Sequence, residues 1–266
     1  MKILLLEPTE PDSPAINKVN RICVLLESNG HEVLRQIAGK SLFAFLVKHQ
    51  PDVVFNLAGI YSWGKTNLIP AILEIAGVRY TGSGLLGLSL IRNYTKLFPL
   101  LLAVGVPLTP FVITRASNAT LPDGFHFPLT LFFDGTRNGL VIKNLADLKK
   151  SLISHPGFED VILQETVTGK KLSLFILGSS PFLASGQSEC LDPALKAYQL
   201  LEARGLARFD FVKSDRTYLS EIDLSPDPLD KHILRLAADY SLDEMKILQL
   251  YLEHAGRDLP APDRKG

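Results

Sequence analysis

Short apolar runs alternate with amphipathic stretches over the first eighty or so residues, and this alternation restricts the fold more than any other feature of the chain. Ile3-Leu4-Leu5-Leu6 reads as a strand buried on both faces, and the amphipathic stretch Ile16–Asn29 ends at Gly30, a helix stop. His31–Leu34 gives a second strand, Leu42–His49 a helix, and Pro51–Asn56 a third strand. A helix over Asn67–Ala76 stops at Gly77, ahead of a fourth strand expected at Val78–Thr81. Strands alternating with helices call for an open, doubly wound parallel sheet of Rossmann-like type. Ligands of such sheets lie beyond the carboxyl ends of the strands, here Glu7-Pro8-Thr9, Asn56–Gly59 and Thr81–Gly84.

After a helix expected from Thr95 to Val104 the pattern changes. Phe111–Thr114, Leu129–Phe133, Leu140–Lys143, Val161–Glu165 and Leu172–Leu177 read as strands, with a helix at Leu145–Ser154. Strands in runs, with an occasional helix, suggest an α+β module with antiparallel pairing. A helix at Pro193–Ala203, strands at Ala207–Val212 and Tyr218–Ile222, and one long helix at Leu229–His254 close the chain, before a tail rich in proline and charge. The division expected is 1–88, 89–178 and 179–256, with a tail at 257–266.

Of the 266 residues, 28 are basic and 28 acidic, so no charge excess argues for nucleic acid or an anionic membrane, and any anion must be met locally. The apolar stretch 85–108 is broken by Arg92, Lys96, Pro99 and Pro107, which a membrane span rarely tolerates. The opening apolar run is too short for a signal peptide, and the expected location is the cytoplasm. Cys23 and Cys190 lack the spacing of a metal or redox pair and read as structural. Trp63 reads as a loop anchor, with lining a pocket as the alternative, and His126 and His155 read as surface histidines.

The chemistry concentrates near the end. In Leu206–Val212, Arg208 and Asp210 share one face of a strand while Phe209 and Phe211 share the other. Glu221 and Asp223 share one face of the next strand, and the turn Lys213–Thr217 has hairpin length. Three crowded carboxylates suit a hard cation such as magnesium, which borrows phosphate oxygens, and Arg208 adds a fork for a phosphate or oxyanion. Spacing alone supports as well a solvated hairpin face laced with cross-strand salt bridges.

The strings GLARFDFV and YLSEIDLSP resemble the C-terminal strand pair of ATP-grasp enzymes, and most of all that of the D-alanine–D-alanine ligases. PDVVFNLAG, IPAILEIAGVRYTGSGLLGLSL, LLLAVGVPLTPFVI and VILQETVTGKKLSLFILG are similar to further family segments in the same order, along nearly the whole chain. The resemblance implies a pre-ATP-grasp domain followed by a central and a C-terminal ATP-grasp subdomain. It implies a ligase that grips ATP between those subdomains, makes an acyl phosphate and lets an amine displace it. An amino acid substrate, magnesium, a place in peptidoglycan synthesis and a homodimer through the N-terminal domain are implied with it. Asp210, Glu221 and Asp223 would hold magnesium and Arg208 would act catalytically. Gln164, Glu165, Val167 and Lys171 at the hinge, with Arg137, would contact ATP.

The departures from that pattern cluster on the nucleotide. Asn93-Tyr94 stands where a phosphate-binding lysine opens the helix, and Lys96 points elsewhere. Phe132 replaces a second lysine. Gln164 stands for a glutamate beside adenine, Lys171 for a glutamate on the ribose, and Asp223 for an asparagine. The glycine-rich loop shrinks to Asp134–Gly139, where Arg137 could reach a phosphate or Asn138-Gly139 simply form a tight turn. The lid between Gly178 and Gly205 is short, and the acid that anchors a substrate amine has only Glu7 and Glu10 as counterparts. Each lost charged contact to ATP costs about 1.5–3 kcal/mol, so ATP binding is expected to be weakened. Three readings stay open: a minimal ATP-grasp ligase, a catalytically degenerate scaffold that acts as a binding protein, and a protein in which a different nucleotide or phosphorylated metabolite has replaced ATP.

Overall fold

A computed structural model describes residues 1–9, 13–58, 68–118, 120–121, 123–136, 139–178, 180–183 and 188–256. Trp63, Arg137, Asn138, Glu10 and the tail 257–266 lie outside them.

The N-terminal sheet has the order β2-β1-β3. Its strands β1 (Lys2–Glu7), β2 (Glu32–Ile37) and β3 (Val53–Asn56) run parallel, as the alternation requires. The expected fourth strand is reduced to a single parallel bridge between Val54 and Tyr80. The Thr81 hydroxyl accepts the Asn56 amide at 2.9 Å, and the chain turns at once through Gly82 at φ +95°, so pairing cannot continue.

Both faces of this sheet are covered. Leu4, Leu6, Val54 and Tyr80 pack with the helices Leu42–His49 and Leu68–Ile75. Ile3, Leu5 and Phe55 pack with the helix Ser13–Ser28 and with Ile233, Leu236, Ile247, Leu248 and Tyr251 from the end of the chain. The single helix expected at 229–254 is two, Lys231–Asp239 and Glu244–Glu253. The break has a local cause: Ser241 adopts φ +59°, and the Asp243 carboxylate accepts the Lys246 amide at 2.8 Å, starting a new helix. Arg21 clamps the second helix to the first domain through two hydrogen bonds to Glu244, at 2.9 and 2.6 Å.

The central sheet, order β4-β7-β5-β6, is antiparallel throughout, with β4 (Phe111–Arg115), β5 (Leu129–Phe132), β6 (Leu140–Ile142) and β7 (Asp160–Glu165). One face, with Leu129, Leu131, Val161 and Leu163, rests on the helix Leu145–Ser154 through Leu148. Period-two alternation turns Ile162 and Phe132 to the other face, where the helix Tyr94–Ala103 presents Leu97, Phe98 and Leu101.

The third sheet has the order β11-β10-β8-β9, with β8 (Lys170–Leu177), β9 (Ser180–Leu183), β10 (Leu206–Lys213) and β11 (Thr217–Asp223). Strand β8 belongs here by pairing, ahead of the boundary expected at 178, and β9 is an edge strand without a strong sequence pattern. Phe209 and Phe211 turn inward to the core that also holds Ile162, Leu97 and Phe98, so one apolar layer joins the second and third sheets. Among the described residues no helix is long and apolar enough to cross a membrane.

Candidate functional site

The antiparallel ladder of β10 and β11 sets Arg208 opposite Asp223 and Asp210 opposite Glu221. The four charged side chains therefore share one face by backbone register alone. A bulge follows Asp210, and Ser220 there donates its hydroxyl to the Asp210 carbonyl at 3.0 Å. This fixes where the pairing resumes at Leu219.

Arg208 occupies the centre of the group. Its Nη2 donates to Glu221 Oε1 at 3.1 Å and lies 3.9 Å from Asp223 Oδ2, while its Nε stands 3.2 Å from Asp210 Oδ2 without the angle of a hydrogen bond. Burial opposes the charged guanidinium, but Asp210, Asp223, Glu221 and Asp230 outweigh that cost and raise its pKa. The carboxylates have further commitments. Asp210 Oδ1 accepts the Ser173 hydroxyl at 2.7 Å, and Asp223 Oδ1 accepts the Ser225 amide at 2.9 Å.

This arrangement decides how well a hard cation fits. The three acids are joined by an internal guanidinium, and among the described residues no three His, Cys, Asp or Glu side chains are placed to hold a metal ion. Two of the carboxylates also spend oxygens on neighbouring donors. As folded, the acids are arranged around Arg208 rather than around a cation position, and the side chains build a salt-bridged hairpin face.

Beside this group a cavity of about 200 Å³ opens between the second and third sheets. Its wall is formed by Tyr94, Phe98 and Phe132, with Gln164 on the floor and Ser220 to Asp223 along the edge strand. Tyr94 and Phe98 come from the helix that Asn93 caps by accepting the Lys96 amide. The Phe132 ring lies 4.8 Å from that of Tyr94 and 5.5 Å from that of Phe98, and Phe98 meets Phe111 edge-on at 5.2 Å. Gly139 lets β6 approach this wall, since a Cβ there would overlap Thr130 and come within 2.9 Å of the Phe132 ring. No Lys or Arg is among the described residues that line the cavity.

The remaining expected contacts scatter. Gln164 lines the cavity and Glu165 is half-buried at the end of β7. Val167 is half-buried in the connection to β8, and Lys171 is exposed on β8. Lys96 is exposed and outside the cavity wall, and Arg137 lies outside the described residues. Glu7 accepts from Arg35 Nε at 2.6 Å. His155 stacks on Phe133 at 4.6 Å. Cys23 and Cys190 are buried free thiols, and burial pushes Cys190 up to about 11.

The same scaffold is found in known proteins. A Bacillus anthracis D-alanine–D-alanine ligase solved with ATP superposes with a TM-score of 0.80 over 96% of both chains, at 16% identity. In sequence, the D-alanine–D-alanine ligase of Roseobacter denitrificans is 24% identical over 242 residues, 79% of this chain and 75% of that one. This chain is a distant relative of the D-alanine–D-alanine ligases and has their ATP-grasp fold. D-alanine–D-alanine ligase B of Mesorhizobium japonicum is 25% identical over 237 residues, covering 72% of this chain and 74% of that one. The uncharacterized protein y4sG of Sinorhizobium fredii is 28% identical over 187 residues, 65% of this chain and 55% of that one. No family model matches the chain.

The sequence singles out Asn93-Tyr94 and Phe132 as standing where the family pattern has cations. The union of Tyr94 and Phe132 with Phe98 and Phe111 into one aromatic wall was not foreseen. The four-residue spacing between Tyr94 and Phe98 carries a helical i,i+4 signal, but Phe111 and Phe132 join only through the sheet.

Proposed function

We propose that this ATP-grasp ligase-like protein no longer runs an ATP-driven ligation and serves as a small-molecule binding protein built on the ligase scaffold. The observation that carries this reading is the cavity between the two sheets, where the triphosphate would lie by analogy with the relatives. It is walled by Tyr94, Phe98 and Phe132 and bordered by Glu221 and Asp223, with no Lys or Arg among its described lining residues. A triphosphate placed there meets two acids whose one neighbouring cation, Arg208, is already committed to them, so the described lining offers little of the attraction that phosphate sites rely on. Its size argues the same way, since about 200 Å³ falls below the roughly 300–1,000 Å³ of sites that take drug-sized ligands.

The Arg208–Asp210–Glu221 group favours a second reading, a ligase that uses magnesium and ATP as the resemblance implies. Under that reading Arg208 must leave the carboxylates when metal and nucleotide enter. Calorimetry of the full chain with Mg-ATP separates the two. Under the binding-protein reading no heat of binding is seen up to about 5 mM nucleotide, an affinity weaker than about −3 kcal/mol. A submillimolar affinity that Asp210→Ala abolishes would establish the ligase reading instead.

A further inference from the structure

Gln164 is the one polar side chain on the floor of the cavity, and its surroundings are unusual. The residue is 9% exposed, it lines the cavity, and its amide makes no side-chain hydrogen bond among the described residues. Strand pairing fixes its direction: Val161 and Leu163 enter the core beneath the central sheet, which turns Ile162 and Gln164 to the cleft. Its amide atoms open onto the cavity rather than being sealed in the core, so a ligand there can take over the hydrogen bonds they otherwise make to water.

The charge around the cavity sets the sign of that ligand. Asp210, Glu221 and Asp223 face one guanidinium, Arg208, so the group keeps two net negative charges. Glu221 and Asp223, at 48% and 17% side-chain exposure, stand where the cavity meets solvent. The rings of Tyr94, Phe98 and Phe132 line the same cavity, and aromatic rings attract organic cations that settle over their faces. An inorganic cation gains little from aromatic walls, and an anion is repelled by the rim.

We propose that the cleft takes a small organic ammonium compound with a compact apolar or aromatic body. The body fills the aromatic wall, the ammonium meets Glu221 and Asp223, and a polar atom of the ligand satisfies the Gln164 amide. The site takes this ligand without ATP. This inference rests on the reading that the cleft has ceased to be a nucleotide site.

The test uses the full chain and four probes followed by ligand-observed NMR and calorimetry: 2-phenylethylamine, the neutral 2-phenylethanol, the anionic 3-phenylpropanoate, and Mg-ATP. The amine is expected to bind about tenfold more tightly than the alcohol, and the carboxylate not to bind at about 10 mM. In the Glu221→Gln, Asp223→Asn double variant the preference for amine over alcohol is expected to fall to about twofold or less. Both changes keep side-chain shape at exposed or half-exposed positions, and circular dichroism confirms the fold. Failure of the amine to bind, equal binding of the carboxylate, or an unchanged preference in the double variant overturns the inference. Binding of Mg-ATP with the amine preference intact overturns only the binding-protein reading. Absence of the amine preference in the parent protein, with Mg-ATP still silent, overturns only the ligand class.

Discussion

The two walls of the cleft are built on opposite principles. On the third sheet, four charged residues stand on one strand pair, locked by register, and the acids carry their own counter-charge in Arg208. On the central sheet and its neighbouring helix, the corresponding wall is aromatic and gains its order from ring contacts of 4.8 to 5.5 Å. The charged wall is self-sufficient, because Coulomb attraction inside it offsets the desolvation of the guanidinium. The aromatic wall needs no counter-charge to hold its shape. Aromatic pairs contribute about 0.5–1.5 kcal/mol each beyond burial, so these rings stabilise the protein with the cleft empty.

Two substitutions probe this contrast, one on each wall. Phe132→Ala is expected to lower unfolding stability by about 2–4 kcal/mol in a urea titration, somewhat less than for a fully buried phenylalanine because Phe132 is only half-buried. A loss under about 1 kcal/mol would show that the aromatic wall is not a packed unit. Arg208→Ala leaves three carboxylates without their cation and is expected to cost about 1–3 kcal/mol at neutral pH. Its mark is a salt dependence that the Phe132 variant lacks, because screening relieves repulsion among half-exposed acids. The same loss at low and high salt would mean that Arg208 acts by packing rather than charge.

The legibility of the two walls from sequence differs for the same reason that their physics does. Arg208, Asp210, Glu221 and Asp223 are close in the chain, and a strand period with a short turn is enough to bring them together. Tyr94, Phe111 and Phe132 come from a helix and two strands separated by long intervals, and only the packed sheet joins them. What sequence left open was whether the acids were bridged by metal or by Arg208, since spacing specifies a shared face and not which cation lies on it. The parallel sheet was legible from its apolar runs, whereas the break at Tyr240–Asp243 turned on a single positive φ and one capping aspartate. The bridge at Tyr80 likewise failed to extend because of Thr81 and Gly82, which a run of strand-forming residues does not reveal.

Gln164 lies where the walls meet, and its substitution gives the smallest and most diagnostic effect. Its amide has no side-chain partner among the described residues and opens onto the cavity, so Gln164→Leu replaces a polar patch of the cleft by an apolar one while nearly preserving volume. The variant is expected to be as stable as the parent or up to about 1.5 kcal/mol more so. A destabilisation above about 1 kcal/mol would mean that the amide is already satisfied in the free protein. The same variant sorts hydrogen bonding from charge in the cleft. It removes a polar contact open to any small ligand, so 2-phenylethylamine and 2-phenylethanol are expected to weaken by the same factor, whereas changing Glu221 and Asp223 erases the difference between them. If Gln164→Leu alters the amine alone, the ammonium lies on the floor rather than at the acidic rim, and the two walls have exchanged the roles assigned to them.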